Sequence, residues 1–180
     1  MSKLSRFGWG SMAILFLLTS LTFGILAIVQ NHNSNSSQDI GLPCSQGGSV
    51  PNQQPGKDGK VKGAKLADFS PPQKISSIAC IDYKIGSGAT ATTSSTVTVN
   101  YVGALASTGQ IFDDSFDGGQ ALTIGLGQVI PGWQLGVQGM KIGGIRRLFI
   151  PAGLGYGAQA AGAIPANSDL VFDIQLINLK

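Results

Sequence analysis

The run "STVTVNYVGAL" alternates. Val97, Val99 and Tyr101 face one way and Thr96, Thr98 and Asn100 the other, which is the period of a half-buried strand. "STGQ", Ser107 to Gln110, reads as a hairpin turn into a second strand through Ile111 and Phe112. "ALTIG" and "IRRLFIPA" are two further strand candidates. "DLVFDIQLINL" closes the chain with Leu170, Phe172, Ile174 and Leu176 on one face. One segment changes period. Ile130, Trp133, Val137 and Met140 recur at spacings of three and four, an apolar stripe that predicts a short helix. Pro131 suits its first turn, and Gly143 and Gly144 are expected to end it. The pattern is that of an α+β domain, several antiparallel strands with one amphipathic helix against them. A lone helix on a sheet must bury such a face whatever the protein does, so the stripe by itself assigns no function.

The N-terminal pattern is of another kind. Trp9 to Val29 is 21 residues without a charge, long enough to cross a bilayer as a helix. Lys3 and Arg6 precede it, and no Lys or Arg follows until Lys57. The positive-inside rule then places residues 1–8 in the cytoplasm and everything after Val29 outside. The expected arrangement is a single-pass signal anchor at the cell membrane over 9–29, a flexible linker over 30–72 and a globular domain over 73–180. The linker assignment rests on its Asn, Ser, Gln, Gly, Pro and Lys content and on its lack of any period. The alternative is a cleaved signal peptide and a secreted or periplasmic protein, although no A-x-A site stands out. Both readings export the domain.

Composition sharpens this. The formal charge is +3, but residues 73–180 hold six Lys or Arg and six Asp, so the domain is neutral and offers no footprint for nucleic acid. All nine acids are Asp. Cys44 and Cys80 are the two cysteines, both on the exported side, where disulfides persist; they are a candidate pair. Pairing would fold the second half of the linker onto the edge of the sheet. "NSS" at Asn35 fits a glycosylation acceptor, a weak three-residue pattern.

Several chemistries drop out. His32, in the linker, is the sole histidine, so Ser-His-Asp and Cys-His catalysis and histidine-based metal sites are not expected. "DDSFDG" from Asp113 imitates the start of a calcium loop, but its twelfth position is Ile124 where a bidentate Glu is required. "GLGYGA" from Gly153 imitates a dinucleotide fingerprint, but Gly162 and Pro165 interrupt the helix that it would have to open. An aromatic and apolar set remains: Tyr101, Phe112, Trp133, Tyr156 and Phe172 with Val129, Ile130 and Ile164. Composition alone reads these as core more readily than as a site.

The order of the segments changes that balance. "VNYVGAL", "GQIFDDSF", "GQVIPGW", "GVQGMKIGGIRRLFIPAGLGYG" and "IPANSDLVFDIQLINL", in this order from about Ile78 to Lys180, resemble FKBP-type peptidyl-prolyl cis-trans isomerases. The resemblance implies an antiparallel sheet curled around the short helix, with an active pocket between them and no cofactor. It implies catalytic roles for Asp113, Tyr156, Trp133 and Phe112, with Trp133 as the pocket floor. Tyr101, Leu122, Val129, Ile130, Ile164 and Phe172 would bind substrate, Ile164 capping the far side and the Ile130 N–H meeting a substrate carbonyl. The implied partners are proline-containing polypeptide clients and macrolide immunosuppressants. The chain departs from well-known members at Leu122, where an aromatic is frequent, at Gly118, an Arg in some members, and in a short loop between Tyr156 and Ile164. These departures bear on tight macrolide binding more than on activity. The rival reading is a module of the same fold that docks proline segments with little turnover.

Overall fold

A computed structural model of the chain describes residues 44–180. The span 9–29, its flanking Lys3 and Arg6, His32 and Asn35 lie outside the described residues. Among the described residues no helix is long and apolar enough to cross a membrane.

The five strands that the sequence predicts form, and two more, at Ser45–Gln46 and Ala79–Lys84, join them. They are β1 (Ser45–Gln46), β2 (Ala79–Lys84), β3 (Thr96–Leu105), β4 (Ile111–Asp114), β5 (Leu122–Gly125), β6 (Ile145–Ile150) and β7 (Leu170–Leu179). Their order in the single sheet is β1-β2-β6-β7-β3-β4, with β5 also on β3. β3 and β7 form the spine, in register from Val97 opposite Leu179 to Leu105 opposite Leu170. The other edge of β3 is divided: β5 lies along Thr96 to Val99 and β4 along Val102 to Ala104. The sheet is mixed rather than wholly antiparallel, because β1 joins β2 in parallel. The cause is local: a disulfide joins Cys44 to Cys80, with the Cα atoms 4.7 Å apart, and sets Ser45 beside Ile81.

The helix α1 runs from Pro131 to Val137, shorter than the stripe predicts. Gln138 leaves helical geometry and Gly139 takes φ +83°, so the chain turns away six residues before Gly143. An outside partner replaces the next turn: Gly139 donates to the Ala91 carbonyl and Ala91 to the Met140 carbonyl. Met140 still reaches the core, but from an irregular segment. Gly132 and Gly136 let α1 lie close on the sheet, since a Cβ on either would run into Ile150 or Leu148 of β6. Arg146 completes the contact. Its Nη1 donates to the Gly136 carbonyl at the helix C-terminus (2.7 Å), and Asp82 balances its charge (2.7 Å).

The main core lies between α1 and the sheet, with Val97, Val99, Leu148, Ile150, Leu170, Ile174 and Leu176 fully buried. A second core occupies the opposite face, and it corrects the linker assignment. Residues 44–72 are part of the compact unit, not a free tether. Val61, Leu66, Phe69 and Ile75 pack on Val102, Ala104, Ile111 and Val171. The segment is fastened at mid-sheet by Arg147, which is only 2% exposed and pairs with Asp173 at 2.6 Å. Its Nη1 and Nη2 donate to the carbonyls of Asp68 and Ala67, both at 2.8 Å, and its guanidinium lies over the rings of Phe69 and Tyr83. Four of the five N–H donors of that buried cation are thereby used.

Candidate active site

A cleft of about 310 Å³ opens between α1, β5 and the pocket face of β3, β4 and β7. Its floor is Trp133, 4% exposed. The indole sits at the first turn of α1 because Ile130 precedes the helix in extended geometry and its carbonyl accepts from the N–H of Trp133 (2.9 Å) and of Gln134 (3.2 Å). Pro131 at the first helical position costs no hydrogen bond there. Three side chains meet the ring system edge to face. Tyr101 of β3 lies 5.6 Å and Phe172 of β7 5.3 Å from Trp133, and Phe112 of β4 lies 5.8 Å from Phe172. All three interplanar angles are within 6° of perpendicular. Edge-to-face packing locks each ring against its neighbours, so the walls are preorganised.

One polar feature stands at the rim. The Tyr101 hydroxyl donates to Oδ2 of Asp113 at 2.6 Å. Burial first, and then this bond and the Asp113 charge, hold the phenol well above its ordinary pKa of about 10. The Ile130 N–H, at the opposite rim, has no acceptor among the described residues. Tyr156, 42% exposed, lines the mouth.

Leu122, Val129 and Ile130 line the cleft together with Tyr101, Phe112, Asp113, Trp133, Tyr156 and Phe172. Ile164 does not. It is buried in the main core, which also holds Trp133, Phe112 and Phe172, and is bridged to Ala161 across a tight turn. Ile124 and Gln128 also line the cleft and were not expected. Ile124 carried a signal, since it stands two residues beyond Leu122 on the same face of β5. Gln128, in the turn Leu126–Gln128, carried none. The residues of the calcium look-alike go separate ways: Asp113 to the Tyr101 hydroxyl, Ser115 to the Tyr101 backbone, Asp117 to the N–H groups of Val61 and Lys62.

Fold and cleft define a small α+β domain whose sheet and single helix enclose an aromatic cleft with one carboxylate at its rim. The family model for FKBP-type peptidyl-prolyl cis-trans isomerases matches residues 88–177, half of the chain, and the protein belongs to that family. It is 43% identical over 122 residues to FK506-binding protein 3 of Candida albicans, a match covering 67% of this chain and 28% of that one. It is 42% identical over 125 residues to a peptidyl-prolyl cis-trans isomerase of Saccharomyces cerevisiae, covering 67% and 30%. Among solved structures, FkpA from Escherichia coli superposes with a TM-score of 0.55 at 38% identity, covering 63% of this chain and 53% of that one. The chain spans less than a third of the length of the curated relatives it matches.

Proposed function

We propose that this chain is a peptidyl-prolyl cis-trans isomerase that acts on X-Pro bonds of exported polypeptides. The observation that carries the reading is the aromatic cleft floored by Trp133, with the Tyr101–Asp113 pair at its rim. The planar X-Pro bond is held by resonance, and rotation without a catalyst takes roughly 10–100 s at room temperature. The twisted transition state has lost that resonance and its carbonyl is less polar. An apolar cleft therefore disfavours the planar form relative to the twisted one. The proline ring rests on Trp133 between Phe112 and Phe172 while the preceding residue turns. The Ile130 N–H holds a flanking carbonyl, and Asp113, its orientation set by Tyr101, lies beside the rotating one. No bond breaks and no proton moves. A thousandfold acceleration requires only about 4 kcal/mol, within reach of desolvation and a few oriented contacts.

The test is a prolyl-peptide isomerisation assay on the purified chain. Binding of the peptide without turnover would leave a docking module. Macrolides of the FK506 class would compete for the same cleft, and Leu122 in place of an aromatic weakens their hold.

The same proposal places the enzyme at the membrane, exported and anchored by residues 9–29. Its support is the uncharged span, Lys3 and Arg6 before it, and the Cys44–Cys80 bridge, a bond that persists in oxidising compartments. Fourteen residues separate Val29 from Cys44.

A further inference from the structure

β4 carries Phe112 and Asp113 yet is the weakest strand of the pocket. It has four residues, lies at the sheet edge, and meets β3 in three pairs interrupted by a register shift between Gly103 and Ala104. Its outer edge is not bare. The Gly63 N–H donates to the Ile111 carbonyl (2.9 Å), the Ile111 N–H to the Ala64 carbonyl (3.0 Å) and the Leu66 N–H to the Gly109 carbonyl (2.8 Å). The turn after β4 is tied in the same way. Asp114 accepts from the N–H of Phe116 and of Asp117 (2.8 Å each), which presents the Asp117 carboxylate to the segment. Asp117 Oδ1 accepts from the Val61 N–H (2.7 Å) and Oδ2 from the Lys62 N–H (3.1 Å). On the pocket side the same turn grips β3, because Ser115 Oγ accepts from the Tyr101 N–H (3.0 Å) and the Ser115 N–H donates to the Tyr101 carbonyl (3.1 Å).

We propose that residues 61–66 are a positioning element for the pocket, and that Asp117 is the positioning residue that fastens them, so that Phe112 and Asp113 are held between two anchors. The segment lies before residues 88–177, the part of the chain that the family model matches. The chemistry of Asp117 agrees: the Val61 N–H foremost, then that of Lys62 and the charge of Lys60, hold its carboxyl below the usual carboxylate range. A short edge strand with a register shift has few bonds of its own to resist displacement. Catalysis by orientation is sensitive to displacements of about 1 Å. The proposal rests on the isomerase reading above, since what the segment positions is that reading's pocket.

The experiment uses the full chain with its disulfide intact and measures kcat and KM on a prolyl peptide well below the melting temperature. Asp117→Ala removes both acceptors; kcat is expected to fall about tenfold with KM nearly unchanged. Asp117→Asn keeps one acceptor and is expected to lose about threefold. Amide exchange at Val61 and Lys62 should quicken in both. A structural role alone would lower the melting temperature and leave kcat as it was. Should Asp117→Ala fail to fold, Asp117→Asn decides. Faster exchange at Val61 and Lys62 with wild-type kcat overturns the proposal. So does an equal loss of kcat on reducing the disulfide at the opposite edge, because general loosening would then suffice. A native chain with no turnover at all overturns the isomerase reading instead.

Discussion

The Tyr101 hydroxyl and the Asp113 carboxylate are bonded at 2.6 Å across the gap between β3 and β4. The two strands meet edge to edge there, so the bond joins a wall of the cleft to its acidic rim. Tyr101→Phe should leave the fold intact and lower the isomerisation rate severalfold, on the order of 1 kcal/mol for one charge-assisted bond at a partly open site. Asp113→Ala should cost more, about tenfold, with circular dichroism unchanged. Wild-type turnover in Asp113→Ala would remove that carboxylate from the mechanism.

The raised pKa of Tyr101 has a sign. Folding favours the protonated phenol, so its contribution to stability is complete below about pH 10 and shrinks above it, where the unfolded chain ionises first. Urea midpoints recorded from pH 8 to 11 should fall at the alkaline end more steeply in the native chain than in Tyr101→Phe.

Gly132 has no room for a side chain against Ile150. Gly132→Ala should lift the start of α1 from β6 and tilt the adjacent Trp133. The expected cost is about 1–3 kcal/mol in a thermal melt, together with a loss of turnover. Leu135, exposed on the same helix, is the control, and Leu135→Ala should change neither.

Asp173 neutralises a cation that has no route to water. Asp173→Ala leaves Arg147 buried and unpaired and should destabilise by about 3–5 kcal/mol. Limited proteolysis should then cut near Ala67–Phe69, where the segment loses its mid-sheet fastening. Cleavage no faster than in the native chain would show that Arg147 does not hold it.

The Cys44–Cys80 bridge closes a loop with a sequence separation of 36, for which the chain-entropy model sets an upper figure of about 4 kcal/mol. Reduction should lower the melting temperature and spare kcat, because the bridge lies at the β2 edge and the pocket strand β4 at the other. For the anchor, protease added to spheroplasts should digest the domain, and an alkaline wash should leave the chain in the membrane pellet. A soluble exported form beginning near Gln30 would mean that the span is cleaved.

Local pattern was enough for the long elements. The alternation in Thr96–Leu105 and Leu170–Leu179 and the stripe from Ile130 specify their own faces, because burial on one side imposes a period that any sheet or helix shows. The order of the aromatic segments pointed to one cleft: nine of the ten residues named from it line that cleft, and Ile164 lies in the main core with Trp133 and Phe172. Other features came only from tertiary contacts. α1 stops at Val137 because Ala91, forty-six positions earlier, supplies the partners that the next turn would have used. Residues 44–72 have no period, since they form irregular turns whose place is set by bonds to Ile111, Asp117 and Arg147. A trace was present: Val102, Ala104, Phe149 and Val171 are apolar on the outer faces of their strands, where Thr96, Thr98 and Asn100 are polar. An outer face that turns apolar partway along needs a cover, but the strand cannot say which part of the chain supplies it.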